Sequence, residues 1–265
     1  MIPLSVRHRL SVATLSMLAV CASGCGTAPK EAEASWSAER LYSEAKEEAS
    51  VGNYEHAGKL YERLEGRASG TALAQQAQIE RAYMLYKGGE KAQALSVLER
   101  FIKFHPTSPG LDYAYYLQGL LNFNDSLGVL GNLARQDLAE RDQQAARDSY
   151  QSFKVLVEQF PQSLYADDAR VRMSYIVNSL AAYEVHVARY YYGRGAYVAA
   201  VNRAQMVVTE FQQSPSAQEA LVIMAQCYDR LDLPQLRDDA KRVLHQSFPE
   251  TALAANVKKP WWQLW

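Results

Sequence analysis

The sequence predicts an all-α fold: a superhelix of about five helical hairpins, each stacked on the next. Three observations carry this. First, apolar residues recur at a period near 3.6 through most of the chain, and no convincing alternating strand pattern interrupts them. Second, a small residue recurs twelve positions on as alanine, followed by large apolar residues four and seven positions later. Ala45, Ala57, Tyr61 and Leu64 show this, and Ala82, Ala94, Leu98 and Phe101 repeat it. Third, one joint returns. Within residues 156–169, Pro161 stops a helix after Phe160, and Ser163 is placed to cap the next helix, whose positive end suits Asp167 and Asp168. Phe211, Ser214 and Ala217 repeat the spacing of Phe160, Ser163 and Ala166, as do Phe248, Thr251 and Ala254. A looser copy lies at Phe104, Pro106 and Ser108.

Small residues let two helices approach, and large ones fill the seam between them. Phased copies of that pattern, separated by stops, read as tetratricopeptide (TPR) repeats.

The elements follow in order. Residues 1–24 read as a signal peptide. Arg7 and Arg9 precede an apolar run over 10–22, which is too short to span a bilayer. The run ends in Ala22-Ser23-Gly24-Cys25, which resembles a bacterial lipobox with alanine in place of the usual leucine. Cys25 is then the lipidated mature N-terminus; the alternative is an ordinary secretory signal cleaved after small residues. Several acyl chains hold a protein stably on a membrane where one does not. Gly26 stands where aspartate would signal inner-membrane retention, so this likeness implies a protein on the outer membrane, facing the periplasm. Residues 25–36 form a lipidated, flexible tether.

Residues 37–107 carry hairpins one and two, turned at Gly52-Asn53 and Gly88-Gly89. Residues 108–250 carry hairpins three to five. Hairpin three opens at Ser108-Pro109 and contains an insertion at 122–142, too long for a repeat turn. In hairpin four the interval from Phe160 to Phe211 is 51 residues against a period of about 34. Its excess reads as helix, because 166–192 contains neither glycine nor proline; Gly193 and Gly195 stop it. The tail, 251–265, ends in Trp261, Trp262 and Trp265 and has no helical period.

Several chemistries are set aside. The net charge of −1 gives no support for a nucleic-acid partner. No phosphate loop, nucleophile elbow or zinc-protease motif occurs, so neither a catalytic residue, a metal nor a cofactor is expected. Cys227 falls in an apolar helical pattern and reads as a buried structural thiol. His186 reads as packed between helices beside a polar partner. Tyr83, Tyr86, Tyr113 and Tyr116 fall on the first helices of hairpins two and three, the helices that line a TPR concavity. Tyrosines there either face a bound peptide or fill the seams. Arg203 follows an apolar run and must reach water or meet a carboxylate, such as a glutamate on the neighbouring helix.

Particular stretches go beyond TPR spacing. Asp112-Tyr113-Ala114-Tyr115-Tyr116-Leu117-Gln118-Gly119-Leu120, Ala145-Ala146-Arg147-Asp148-Ser149-Tyr150 and Ala182-Tyr183-Glu184-Val185-His186-Val187-Ala188-Arg189-Tyr190-Tyr191 are three of them, and Gly195-Ala196-Tyr197-Val198-Ala199-Ala200-Val201-Asn202-Arg203 is another. Through them the chain, over about residues 25–248, resembles the BamD (ComL) family, TPR lipoproteins of the outer-membrane β-barrel assembly (BAM) machinery. The resemblance implies a non-catalytic scaffold. Its C-terminal half would dock on the periplasmic POTRA domains of BamA, with Asn202 and Arg203 at that interface, and BamC would bind as well. Its N-terminal half would receive unfolded β-barrel precursors, with Tyr83, Tyr86, Tyr113 and Tyr116 as candidate groove residues. A cell-wall-associated TPR lipoprotein scaffold shares the anchor and fold but not the long fourth hairpin or its Asn202-Arg203 ending. A periplasmic hydrolase would need a polar catalytic cluster, which the sequence does not display.

Overall fold

A computed structural model describes residues 35–123 and 143–249 of the 265-residue chain. The signal peptide, Cys25, most of the insertion and the tail with Thr251 and Ala254 lie outside the described residues. Among the described residues there are ten helices and no strand. We number them α1 (Ala38–Ser50), α2 (Tyr54–Arg67), α3 (Ala72–Lys87), α4 (Lys91–Phe104), α5 (Leu111–Asn122), α6 (Gln143–Gln159), α7 (Ala166–Gly193), α8 (Tyr197–Glu210), α9 (Ser216–Arg230) and α10 (Pro234–Ser247). The fold is all-α and of TPR type.

Each helix packs mainly on its neighbours in sequence, as stacked hairpins must. Three apolar cores follow one another: Leu41 to Met84 across α1–α3, Ile79 to Leu121 across α3–α5, and Ala146 to Cys227 across α6–α9. The twelve-residue pairs are the closest approaches. Ala45 and Ala57, Ala82 and Ala94, and Ala188 and Ala200 are all fully buried. Phe101 and Phe153 fill the seams with no exposed surface, each contributing about 1.5–3 kcal/mol of burial. Cys227 is also fully buried, and burial pushes its thiol up to about 11.

Two kinds of turn alternate. Within hairpins the chain turns on one left-handed residue: Gly52 at φ +83°, Gly89 at +83°, Gly195 at +76° and, in the last hairpin, Asp232 at +57°. Only glycine adopts that backbone freely, so three of the four sites carry it. Between hairpins, a serine hydroxyl accepts the backbone N–H two residues on. Ser108 takes Gly110 at 3.3 Å, Ser163 takes Tyr165 at 3.2 Å and Ser214 takes Ser216 at 3.3 Å.

This corrects two expectations. Ser163 does not cap α7; Tyr165 is the residue at that cap, and Ser163 closes the turn before it. The upstream joint is also not looser. His105, not Phe104, stands in register with Phe160 and Phe211: its N–H bonds back to Phe101 as theirs do to Leu156 and Val207, and Ser108 N–H bonds to its carbonyl. Phe104 is 65% exposed.

Hairpin three is held by a close fit across the insertion. Phe153 of α6 lies over Gly119 of α5, where a Cβ would come within 2.8 Å of ring atoms. Ser149 donates to the Gly119 carbonyl at 2.8 Å. In hairpin four, α7 runs 28 residues, about 42 Å, and packs on α6, α8 and α9. None of the described helices is long and apolar enough to cross a membrane.

Candidate functional site

The tyrosines of α3 and α5 meet at the joints that follow α4 and α6. There a groove of about 830 Å³ opens, with Ile79, Glu80 and Tyr83 on one wall and Asp112 and Tyr113 on the other. Leu164 and Tyr165, from the joint before α7, close one side. The serine turns set this geometry. Ser163 donates its hydroxyl to Asp112 Oδ2 at 2.7 Å, while Asp112 Oδ1 accepts the Tyr113 N–H at 2.7 Å. One joint is thereby tied to the start of the preceding hairpin. Leu164, two thirds of the way round that turn, is left 94% exposed at the rim.

The four sequence-predicted tyrosines separate. Tyr83 and Tyr113 line the groove. Tyr113 stacks obliquely on Tyr165, ring centres 5.2 Å apart, and burial raises its hydroxyl well above the ordinary phenol. Tyr116 does not line the groove. It lies flat under Tyr165, centroids 4.7 Å apart, and its hydroxyl donates to Asp168 Oδ2 at 2.7 Å. Burial and that carboxylate hold the Tyr116 phenol at about 12. Tyr116 thus acts as a strut for Tyr165. Tyr86 packs against the α3–α5 core and touches Tyr83 edge-on at 6.3 Å, outside the lining.

Three lining residues were not singled out from the sequence: Glu80, Leu164 and Tyr165. Tyr165 sits one residue before a helix and belongs to no first-helix stripe. Its signal was its place in the joint, two residues after a recurrent serine. Glu80 is half-buried; burial raises its carboxyl, with Gln76 and Lys46 opposing the shift.

The second predicted surface lies on hairpin four. Asn202 is exposed on α8. Arg203 beside it donates from Nη1 to Glu184 Oε2 of α7 at 3.1 Å. The Glu184 side chain is 2% exposed, whereas that of Arg203 is 40% exposed. The arginine therefore already has a carboxylate within the chain, on the neighbouring helix, and its outer edge still faces water. Arg189 makes a similar crossing to Glu219 of α9, with one bond at 2.7 Å. His186, expected to be packed, is exposed. Its neighbour Glu184, on the inner face of the same turn, occupies the buried polar position instead. Among the described residues no group of three or more His, Cys, Asp or Glu is placed to hold a metal ion.

With this geometry in place, comparison with known proteins is informative. Residues 35–244 match the YfiO family, described as an outer membrane lipoprotein. A protein of Neisseria gonorrhoeae called outer membrane protein assembly factor BamD is 44% identical over 262 residues, covering 97% of this chain and 98% of its own length. A protein of the same name from Xylella fastidiosa strain Temecula1 is 33% identical, covering 96% of this chain and 86% of its own. Among solved structures, the MamA protein aligns over 84% of this chain and 96% of its own at 12% identity, with a TM-score of 0.34.

Proposed function

This chain belongs to the BamD family of outer membrane protein assembly factors, and we propose that it serves as a non-catalytic scaffold subunit of the BAM complex. In this reading Cys25 carries the lipid that holds the chain on the outer membrane, with the hairpins in the periplasm. Unfolded β-barrel precursors enter the groove between hairpins two and three. BamA docks its POTRA domains on hairpin four, and BamC binds as a further lipoprotein partner.

The observation that carries the precursor reading is the groove itself. An extended segment suits a long concavity between stacked hairpins, and Tyr83, Tyr113, Tyr165 and Leu164 offer it apolar surface that is already ordered. Aromatic rings lose little entropy on binding, so they favour such a contact. The BamA contact is revised by the ion pair. Arg203 uses one edge of its guanidinium to hold Glu184, and five donors leave others for an acidic POTRA residue alongside Asn202.

Photo-crosslinkers at Tyr83 and Tyr113 test the groove, with exposed Glu99 on α4 as control. Precursors are expected to be captured at the two tyrosines and not at Glu99; equal capture at all three would remove the groove assignment. In the same cells, Arg203→Lys keeps a cation beside Glu184 but loses the planar fork, and should lower BamA recovery while the melt holds. Unchanged recovery would exclude Arg203 from the interface. Mass spectrometry of the mature N-terminus checks the lipid on Cys25; an unmodified thiol there would refute the anchor.

A further inference from the structure

The groove has a charge character that its tyrosines conceal. Its lining holds two carboxylates, Glu80 and Asp112, and three phenol rings, but no lysine, arginine or histidine. Asp112 is spent: one oxygen accepts the Tyr113 N–H and the other the Ser163 hydroxyl. Glu80 is not. The groups that face it are Gln76, one turn back on α3, Lys46 of α1, Tyr61 of α2 and Tyr113 of α5, and no salt bridge among the described residues reaches it. A carboxylate has about four acceptor sites, so Glu80 retains acceptor capacity toward the groove. Phenol faces beside a carboxylate also attract a cation through their quadrupoles.

We propose that Glu80 determines the specificity of the groove, which takes an internal, extended polypeptide segment carrying a lysine or arginine beside an aromatic residue and rejects a free terminal carboxylate. This deepens the precursor-groove reading and rests on it. The aromatic ring lies among Tyr83, Tyr113 and Leu164, and the neighbouring cation reaches Glu80. A free α-carboxylate at the same place would face Glu80 and Asp112 with no cation in the lining to offset them. The half-burial of Glu80 strengthens both effects, because water screens them less there. The raised carboxyl of Glu80 is consistent with an anion held out of water with too few donors.

The test uses the full mature chain in detergent and fluorescent eight-residue peptides containing one phenylalanine. They differ only in its neighbour, lysine, norleucine or glutamate, and each is made with an amidated or a free C-terminus. Displacement of the crosslink formed at Tyr113 reports binding in the groove. The lysine peptide should bind about tenfold tighter than the norleucine peptide, the order of one charge-assisted hydrogen bond. The glutamate peptide should be weaker than either, and amidation should tighten all three. In Glu80→Gln the ratio of lysine to norleucine should fall to about one, while the norleucine peptide keeps its affinity. Equal binding of lysine and norleucine peptides to the unaltered protein overturns the proposal without any variant, and so does a preference that survives Glu80→Gln. Failure of every peptide to displace the Tyr113 crosslink overturns the groove reading itself along with it.

Discussion

Glu80 and Glu184 both lie on the first helix of a hairpin, and both are withdrawn from water. Glu184, in hairpin four, is almost fully buried and meets Arg203 from the second helix of its own hairpin at 3.1 Å. Glu80, in hairpin two, is half-buried and meets no guanidinium; it opens onto a groove instead. The same residue type on the same frame is therefore finished in one place and unfinished in the other. A buried charge that is paired within the chain serves the fold. One left short of donors destabilises the fold slightly and remains available to something outside it.

The sharpest way to break this comparison is Arg203→Glu. It leaves Glu184 buried beside a second negative charge and should cost about 3 kcal/mol, a fall in Tm of about 6–12 °C. A melt unchanged within a degree would show that Glu184 does not depend on Arg203. It would also reopen this variant as a clean probe of docking, which it otherwise is not.

Next in size are two overpacking changes that test whether the frames are in fact alike. Ala94→Leu in hairpin two and Ala200→Leu in hairpin four replace fully buried alanines at equivalent close approaches. Each should cost about 1–3 kcal/mol in denaturant unfolding, by similar amounts. A large effect at one and none at the other would mean that the two hairpins do not share a repeat phase.

The smallest expected effect has the opposite sign. Burial raises the Glu80 carboxyl above its unfolded value, so its ionised form weighs against the folded state. That cost is absent below the ordinary carboxylate range and appears as pH rises through the raised value. Glu80→Gln should therefore be somewhat more stable than the parent at pH 7 and equal to it near pH 4. Loss of stability at pH 7 would place Glu80 among the paired carboxylates with Glu184.

Most of the frame was legible because it rests on local rules. Proline and glycine stops, the twelve-residue alanine spacing and a glycine-free run over 166–192 act within one or two turns of helix, and each is readable without knowing what lies across the fold. The length of α7 and the burial of Cys227 followed directly. The joints were legible in spacing but not in detail. Ser163 binds two residues on instead of capping a helix, and His105 takes a place expected of phenylalanine, since hydroxyl geometry and register are settled by the turn itself.

The site was legible only in part, because its lining depends on which face of each helix the stacking turns inward. Tyr83, Tyr86, Tyr113 and Tyr116 share a helical stripe in sequence, yet only Tyr83 and Tyr113 line the groove. Glu184 and His186 are two residues apart, far enough round the helix that one is buried and the other exposed. An intrachain partner for Arg203 was foreseeable as a glutamate on the neighbouring helix; which glutamate required the crossing of α7 and α8.

The fit of Phe153 over Gly119 also bears on the order in which the chain can assemble. Most hairpins close through turns of a few residues, so their contacts are local and can form soon after the second helix is available. Hairpin three is different: Gly119 and Phe153 must find each other across the insertion, at a higher entropy of closure. A chain supplied from its N-terminus can thus complete α1–α4 early, then waits at α5 until α6 arrives. During that interval the apolar face of α5 around Gly119 and Leu121 has no α6 to cover it, which makes hairpin three the kinetic bottleneck of the array.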